Sequence, residues 1–284
     1  MSTAYLFCPA YPLADSMAVT KAVASAQRFC TALDLTLVCS PLLDQHPGVG
    51  AWLPTEQRRD DLRTALGHDW LLPARGGYGC IDLLQDLVPA GRLCGYSDVT
   101  ALHAGWATLG GPETLYGFLP GVPHGERAFT SAVTLTRGQE LRVDGLEVLR
   151  SGDVEGPLFA GCLRVLTGLI GTPWFPDLTG KILAIEDIDE RPYRIDRDLW
   201  QLHWAGALNG VVGLVAGLFP SVDPPGYVGP TADQVIAAWA ERLGIPAIGR
   251  VPFGHDPDPL TLACGRNSRI LGRHADGALI QHPR

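Results

Sequence analysis

Short apolar runs alternate with amphipathic segments over the first 110 residues, and this alternation narrows the folds open to the chain. The runs TAYLFCPA, LTLVCS, DWLLPAR and RLCGYS read as strands, and a segment with helical periodicity follows each of them. Alternating strands and helices build a parallel sheet that is covered by helices. The sequence therefore predicts an α/β fold for this part of the chain.

The pattern changes near Thr130. From there TSAVTLTRGQELRVDGLEVLRSGDVEG alternates apolar and polar residues between glycines, as in hairpins or an extended linker. The remainder mixes helical patterns with the strand-like runs KILAIED and VVGLVAG, which predicts a smaller α/β or β-rich domain. A chain of 284 residues can bury two cores. We place an N-terminal domain at 1–135, a linker at 136–157 and a C-terminal domain at 158–284.

Composition argues against several classes of function. The net charge is -8 and no run of Lys or Arg is present, so a nucleic-acid or anionic membrane surface is not expected. No signal peptide and no apolar run of about 18 residues is seen, which predicts a cytoplasmic protein. The seven cysteines form no C-x-x-C pair and the eight histidines no H-E-x-x-H motif. We therefore expect neither disulfides nor a metal or other cofactor.

Ser97 lies at a junction between strand and helix, in GYSDVTALHAGW. A serine at this position is commonly a helix N-cap, but Asp98 is an equally good cap, and Thr100 stands where a capping box needs Glu or Gln. The alternative is a nucleophile elbow, in which the Asp98 amide faces an oxyanion. Because Val99 replaces the second glycine of G-x-S-x-G, this segment alone leaves both interpretations open. If Ser97 is a nucleophile, Asp98 is the predicted cap.

The loop ARGGYGC, residues 74–80, follows another strand of the same predicted sheet. It contains neither G-K-[ST] nor G-x-G-x-x-G, which disfavours a phosphate-binding loop. Adjacent glycines also let a backbone amide approach an oxyanion without obstruction, and Gly77 is well placed to supply it. A plain tight turn is the alternative.

A hydroxyl nucleophile needs a base, and the base needs a carboxylate to orient it. His255 follows a glycine among prolines in IGRVPFGHDPDP, a rigid loop where core filling explains a histidine poorly. Glu186 ends the apolar strand KILAIE, where an acid is more often a solvated or capping group. Together the two residues are candidates for the base and its orienting acid.

These four stretches, in this order, resemble the LD-carboxypeptidase family, serine peptidases that include murein tetrapeptide carboxypeptidases and microcin immunity hydrolases. The matching pieces are ARGGYG, GYSDVTALH, LTGLIGTPWFPDLTGKILAIEDIDERPYRIDR and PFGH, which span most of the chain from Ala74 onward. The resemblance implies a catalytic triad of Ser97, Glu186 and His255. It also implies an oxyanion hole of backbone amides, which we place on Asp98 and Gly77.

The family fold is a Rossmann-like N-terminal domain that carries the serine and a smaller C-terminal domain that carries the acid and the base. The resemblance further implies a homodimer that hydrolyses the amide between an L-centre and a terminal D-amino acid in muropeptides, in cell-wall recycling. A carboxypeptidase must also recognise a free carboxylate. Arg75 and Arg194 are candidates, with surface ion pairing as the alternative, and Gly76 and Tyr78 are further candidates for substrate binding.

Three segments depart from the family pattern and leave the substrate open. Residues 160–162 read Ala-Gly-Cys instead of Gly-Gly-Asn, Tyr116 replaces a histidine that often precedes glycine, and Asp258 replaces an asparagine.

Three alternatives to a murein peptidase follow from the same residues. A microcin-type hydrolase of aminoacyl-nucleotide analogues would use aromatic side chains to stack on adenine, for which Trp174, Trp200 and Trp204 are candidates. A small-ligand binding protein on the same fold would have no need of the full triad. A thiol nucleophile, Cys94 or Cys80, is the third, and the position of Cys94 inside a strand predicts an inert, buried thiol.

Overall fold

The computed structural model describes residues 2–48, 51–220, 226–273 and 276–284. The strands of these residues, in chain order, are β1 (Thr3–Phe7), β2 (Thr36–Cys39), β3 (Trp70–Pro73), β4 (Arg92–Gly95), β5 (Thr114–Tyr116), β6 (Leu141–Arg150), β7 (Gly152–Cys162), β8 (Ile182–Glu186), β9 (Gly213–Ala216), β10 (Ala247–Gly249), β11 (Leu262–Cys264), β12 (Asn267–Arg273) and β13 (Asp276–Gln281).

Their helices are α1 (Ser16–Ala32), α2 (Thr55–Ala65), α3 (Thr100–Thr108), α4 (Glu126–Thr136), α5 (Leu163–Thr167), α6 (Pro192–Trp204) and α7 (Ala232–Leu243). Short 3₁₀ helices cover 41–44, 80–86 and 97–99. No helix of the described ranges is long and apolar enough to cross a membrane.

The first half of the chain, together with β11, forms the sheet that was predicted to be parallel. Its strand order is β11-β5-β4-β3-β1-β2, and all neighbours are parallel except β11, which runs antiparallel to β5. Every residue of β3 is buried, as expected for a strand covered on both faces. The mixed α/β class predicted from the sequence is confirmed.

The second half forms a closed barrel in the order β10-β6-β13-β12-β7-β8-β9. Strands β7, β8, β9 and β10 are parallel neighbours. The β12–β13 hairpin and β6 close the barrel by antiparallel pairing, β12 with β7, β13 with β6 and β6 with β10. Along the sequence, α5 connects β7 to β8, α6 connects β8 to β9, and α7 connects β9 to β10. The second half of the chain is thus β-rich, as expected, and its sheet is closed.

Residues 136–157, which we placed in a linker, are mostly sheet. Strand β6 and the first part of β7 lie there, but they do not pair with each other, because β13 and β12 stand between them in the barrel. The segment is therefore neither a local hairpin nor an extended linker. The segment TSAVTLT just before it was expected to be extended, and this was wrong, because it belongs to α4. Its buried residues Ala128, Ser131, Ala132 and Leu135 recur at the i, i+3, i+4, i+7 spacing of a helix face.

The last part of the chain ties the two sheets together. Strand β11 leaves the barrel region and pairs with β5, with Leu262 opposite Tyr116. Close to this strand, Arg266 forms a nearly buried ion pair with Glu113 at 2.7 Å. One hydrophobic cluster also runs from the sheet, at Tyr116, to the barrel, at Phe159. The carboxyl ends of β4, β5 and β8 are therefore held beside one another.

Candidate active site

Ser97 occupies a strained turn immediately after β4. Its φ is 65°, in the left-handed region that non-glycine residues rarely adopt. Such strain persists where the surrounding structure imposes it, and it is concentrated at functional sites. The side chain is partly exposed, and the 3₁₀ turn of residues 97–99 leads directly into α3. The local backbone is thus the sharp strand-to-helix turn that an elbow requires.

Asp98 does not cap the helix, so that prediction was wrong. The 3₁₀ turn precedes α3, and neither the turn nor the helix has a side-chain cap at its start. The buried Asp98 carboxylate instead accepts a hydrogen bond from the Cys80 amide at 2.8 Å. Burial raises the pKa of Asp98, and the hydrogen bonds from Cys80 act against this shift. The side chain therefore anchors the end of the glycine-rich loop beside Ser97.

The glycine-rich loop lies directly against the serine. A Cβ built on Gly76 would lie 3.2 Å from Ser97 Oγ and 3.4 Å from the Asp98 nitrogen. Gly77 has a φ of 117°, and a side chain there would collide with the ring of Tyr11. Within the described ranges neither the Asp98 nor the Gly77 N–H donates to another backbone oxygen. Both amides thus have donor capacity left, that of Asp98 directly after the serine and that of Gly77 directly after the glycine that faces it.

Glu186 and His255 form a hydrogen-bonded pair, in which Glu186 is buried and His255 is partly exposed. Glu186 ends β8 and is fully buried, and its Oε2 lies 2.7 Å from His255 Nδ1 and 3.1 Å from the backbone nitrogen of His255. Gly254 has a φ of 76°, and any side chain there would collide with the Glu186 carboxyl group. The glycine before the histidine is therefore required by this contact.

The pKa of His255 depends on burial and on the neighbouring carboxylates. Burial would lower the pKa of His255, but the hydrogen bond and charge of Glu186, helped by Asp187 and Asp189, outweigh burial and raise it. With Nδ1 bound to the carboxylate, Nε2 is the nitrogen left to accept a proton. The pair has the chemistry of a general base and its orienting acid.

The two halves of the site meet at aromatic side chains. The ring of Tyr96, next to the serine, packs edge-on against His255 with centroids 5.1 Å apart. The hydrogen bonds of the described residues do not include one from Ser97 Oγ to His255, and such bonds are often long before substrate binds. Tyr116 makes the direct polar link, because its hydroxyl lies 3.3 Å from the Ser97 nitrogen and 2.6 Å from Glu186 Oε1.

Tyr116 and Thr100 were not predicted as site residues. The sequence shows Tyr116 only as a departure from a family pattern, and Thr100 only as a missing capping residue. The available signal was position, because Tyr116 ends β5 and lies opposite Gly95, two residues before Ser97. Both side chains lie at the strand edge where ligands of parallel sheets gather.

Of the two candidate arginines, Arg75 is the one without a carboxylate partner. It is partly buried beside Gly76, and in the described part of the chain its polar contact is the Pro12 carbonyl oxygen at 3.5 Å. Arg194 instead pairs with Glu190 at 3.4 Å on an exposed turn of α6. The surface ion pair considered for both arginines thus applies to Arg194.

Tyr78 belongs to an exposed aromatic cluster next to the glycine-rich loop. Its ring lies 5.4 Å from that of Trp52, which in turn stacks on Tyr11 at 6.3 Å. Both Tyr78 and Trp52 are about half exposed, at 46% and 51%. Large exposed rings beside a polar site are available to a ligand.

The thiols do not have the properties of a nucleophile. Cys94 lies inside β4 and Cys80 begins the 3₁₀ helix of residues 80–86, and both are fully buried. Burial raises the pKa of each thiol, which suppresses the reactive thiolate. Cys162, at one of the departures from the family pattern, donates its amide to Thr100 Oγ1 at 2.9 Å.

The fold and these side chains are of the kind expected in a hydrolase with a hydroxyl nucleophile, on a parallel sheet joined to a second, closed sheet. The described residues contain no group of three or more His, Cys, Asp or Glu that could hold a metal ion. Residues 5–117 match the model of the LD-carboxypeptidase N-terminal domain, and residues 155–270 that of the C-terminal domain. The chain belongs to the LD-carboxypeptidase family and is a carboxypeptidase by class.

A known relative agrees with this assignment, and solved structures share the fold. A murein tetrapeptide carboxypeptidase of Pseudomonas aeruginosa is 30% identical over 244 residues, which cover 76% of this chain and 78% of that protein. The crystal structure of a muramoyltetrapeptide carboxypeptidase from Oxalobacter formigenes has a TM-score of 0.84 at 24% identity, over 98% of this chain and 99% of the other. The microcin C7 self-immunity protein in complex with aspartyl sulfamoyl adenosine has a TM-score of 0.82 at 20% identity, over 99% and 96%.

Proposed function

We propose that this protein is a serine carboxypeptidase that removes the terminal D-amino acid from an L-centre in murein tetrapeptides. Ser97 is the nucleophile, His255 the general base and Glu186 the acid that orients it. The observation that carries the proposal is the Glu186–His255 pair, joined at 2.7 Å on a buried carboxylate, together with a serine held at a φ of 65°. The murein substrate is inferred from the Pseudomonas relative, which is 30% identical.

The reaction proceeds through an acyl-enzyme. His255 Nε2 takes the proton of Ser97 as its Oγ attacks the carbonyl carbon, and the Asp98 and Gly77 amides stabilise the oxyanion. The same imidazole then gives the proton to the leaving amine as the amide bond breaks. A water, deprotonated by His255, hydrolyses the ester and restores Ser97. Glu186 holds the imidazole in the required tautomer throughout.

The substrate carboxylate is assigned to Arg75. Its guanidinium has no carboxylate partner among the described residues. Arg75 directly precedes Gly76, where a Cβ would lie 3.2 Å from Ser97 Oγ. The free carboxylate of the substrate would accept a charge-assisted hydrogen bond from this guanidinium. The Gly76 backbone and the exposed ring of Tyr78 would then flank the peptide on the same side.

Two of the three tryptophans considered for adenine stacking, Trp174 and Trp200, are engaged in packing, which does not favour a microcin-type substrate. The third, Trp204, is 78% exposed at the end of α6, where its ring stacks on that of Trp200. Trp200 packs edge-on against Trp239 at 4.9 Å and under Arg242 at 4.4 Å, which is helix packing between α6 and α7. Trp174 packs against the main hydrophobic cluster. The proposal therefore keeps the murein peptide as substrate, together with a cytoplasmic location and the homodimer that the family resemblance implies.

Mass spectrometry of purified muropeptides tests this function. Incubation should release one alanine from a tetrapeptide and none from a pentapeptide, and Ser97→Ala should release none from either. Aspartyl sulfamoyl adenosine, in parallel, should stay intact. No loss from the tetrapeptide, or equal loss with Ser97→Ala, would overturn the proposal. Light scattering of the same sample checks the dimer.

A further inference from the structure

The hydroxyl of Tyr116 lies where three polar groups of the site converge. It is 2.6 Å from Glu186 Oε1, 3.3 Å from the Ser97 nitrogen and 3.3 Å from Thr100 Oγ1. The side chain is fully buried, as are those of Glu186 and Thr100. A buried hydroxyl in such a position must satisfy all its neighbours with one proton and two lone pairs.

The direction of each hydrogen bond follows from the chemistry of the partners. A carboxylate only accepts, so Tyr116 donates its single proton to Glu186. The Ser97 N–H and the Thr100 hydroxyl then donate to the two lone pairs of the tyrosine oxygen. Thr100 is free to do so because its own oxygen accepts the Cys162 N–H at 2.9 Å. Hydrogen bonds aligned in this way polarise one another.

This arrangement joins the two sheets at the reacting groups. Ser97, Thr100 and Tyr116 belong to the parallel sheet and its connections, whereas Glu186 and His255 belong to the barrel side of the site. We propose that Tyr116 is a positioning residue, which fixes the Glu186 carboxylate relative to the Ser97 backbone and limits how strongly that carboxylate holds the His255 proton. This inference rests on the triad of the proposed function.

The hydroxyl keeps its proton over the working range, because burial and the charge of Glu186 raise the pKa of Tyr116 well above its ordinary value. Without this donor, Glu186 Oε1 would be a buried acceptor with no described partner. The carboxylate would then bind the imidazolium proton more tightly, so His255 would stay protonated to higher pH. The other titratable groups that interact with Glu186 or His255 are Tyr96, His124, Cys162, Asp187 and Asp189.

The test is the rate at which a fluorophosphonate labels Ser97, measured against pH for wild type and Tyr116→Phe. Loss of a hydrogen bond to a charged group should slow labelling roughly 10- to 100-fold. The acid limb of the profile should also move up by about half a pH unit to one pH unit. With the murein tetrapeptide, kcat should fall and KM should stay unchanged.

Tyr5→Phe is the matched control. Tyr5 is a buried tyrosine of the same sheet that donates to the buried carboxylate of Asp61 at 2.9 Å, away from Ser97. It should lower thermal stability without moving the labelling rate or its pH profile. If Tyr116→Phe does not fold, Thr100→Val carries the test, because it removes one donor to the tyrosine oxygen and should shift the profile the same way by a smaller amount.

The outcomes separate this inference from the proposed function. A wild-type labelling rate and pH profile in Tyr116→Phe, with Ser97→Ala unlabelled, would overturn the positioning role and leave the triad standing. A shifted profile in an enzyme that releases no alanine from the tetrapeptide would support the positioning role and overturn the substrate. Wild-type protein that resists the probe would overturn both.

Discussion

Two buried tyrosines of the parallel sheet each donate a hydrogen bond to a buried carboxylate, and the two pairs have different roles. Tyr5 on β1 bonds Asp61 of α2 at 2.9 Å, and Tyr116 on β5 bonds Glu186 of β8 at 2.6 Å. The first pair joins a strand to the helix that covers it. The second joins the sheet to the barrel.

The second carboxylate oxygen makes the difference. In Asp61 this oxygen accepts a hydrogen bond from the Cys8 backbone amide at 3.2 Å, so both carboxylate oxygens bind groups that only hold the fold together. In Glu186 it holds the imidazole of His255, a group whose proton can leave. The same hydrogen bond thus stabilises the fold in one place and orients a base in the other. Burial, followed by the charge of Asp61, raises the pKa of Tyr5 to about 12, so this tyrosine remains a donor.

The largest difference in kcat is expected when each of the two carboxylates is replaced in turn by its amide. Glu186→Gln should reduce kcat by roughly 10³- to 10⁴-fold, because the imidazole loses its orienting acid and its required tautomer. Asp61→Asn should keep kcat and lower the free energy of unfolding by about 1–3 kcal/mol. Steady-state kinetics and thermal unfolding of both variants measure this. Equal losses of kcat would contradict the division of roles.

A smaller effect is expected at the loop that faces the serine. Asp98→Ala should lower kcat by roughly 10- to 100-fold, because the Cys80 amide loses its anchor and the Gly77 donor is displaced. The control is Asp69→Ala, which removes a carboxylate that accepts the Thr3 amide at 2.7 Å, away from the serine. A kcat unchanged in Asp98→Ala would show that the loop holds its position without this anchor.

Substrate binding should separate from chemistry at the arginines. Arg75→Gln is expected to raise KM about tenfold with little change in kcat, because a charge-assisted bond to the substrate carboxylate is lost. Arg194→Gln removes a surface pair with Glu190 and should leave both constants unchanged. If Arg194→Gln raises KM and Arg75→Gln does not, the assignment is reversed.

The smallest effect is the pH profile of the wild type. The base must be neutral, and Glu186 raises the pKa of His255 above its ordinary 6.5, so the acid limb of kcat/KM should have its midpoint above 6.5. Asp61→Asn should leave this midpoint unchanged, whereas Glu186→Gln should lower it. A wild-type midpoint below 6.5 would show that burial outweighs the carboxylate.

The sequence predicted β1, β2, β3 and β4 of the six-stranded sheet, because each of these strands is a local apolar run followed by a helical pattern. The three-residue strand β5 was not predicted. Strand β11 could not be predicted in this way, since three residues join the sheet through pairing with a strand some 150 residues earlier. The segment before β6 was misassigned because Ser, Ala, Val and Thr fit both an alternating strand and a small-residue helix face. Here the helical spacing of the buried residues was the better guide.

The site was partly predictable for the same reason. Motifs at strand ends predicted Ser97 and Glu186 as site residues, and a loop rich in proline predicted His255. The structure places Glu186 and His255 in hydrogen-bond contact. Tyr116 was missed because its role depends on a bond to a residue 70 positions away, which no local pattern encodes. The cap predicted at Asp98 was wrong because a 3₁₀ turn, not the helix itself, begins there.

The most direct measurement is peptide mapping by mass spectrometry after reaction with a fluorophosphonate. This account predicts one adduct, on the peptide that contains Ser97, and none in the Ser97→Ala variant. A wild-type protein without an adduct, an adduct on Cys80 or Cys94, or equal labelling of Ser97→Ala would contradict it.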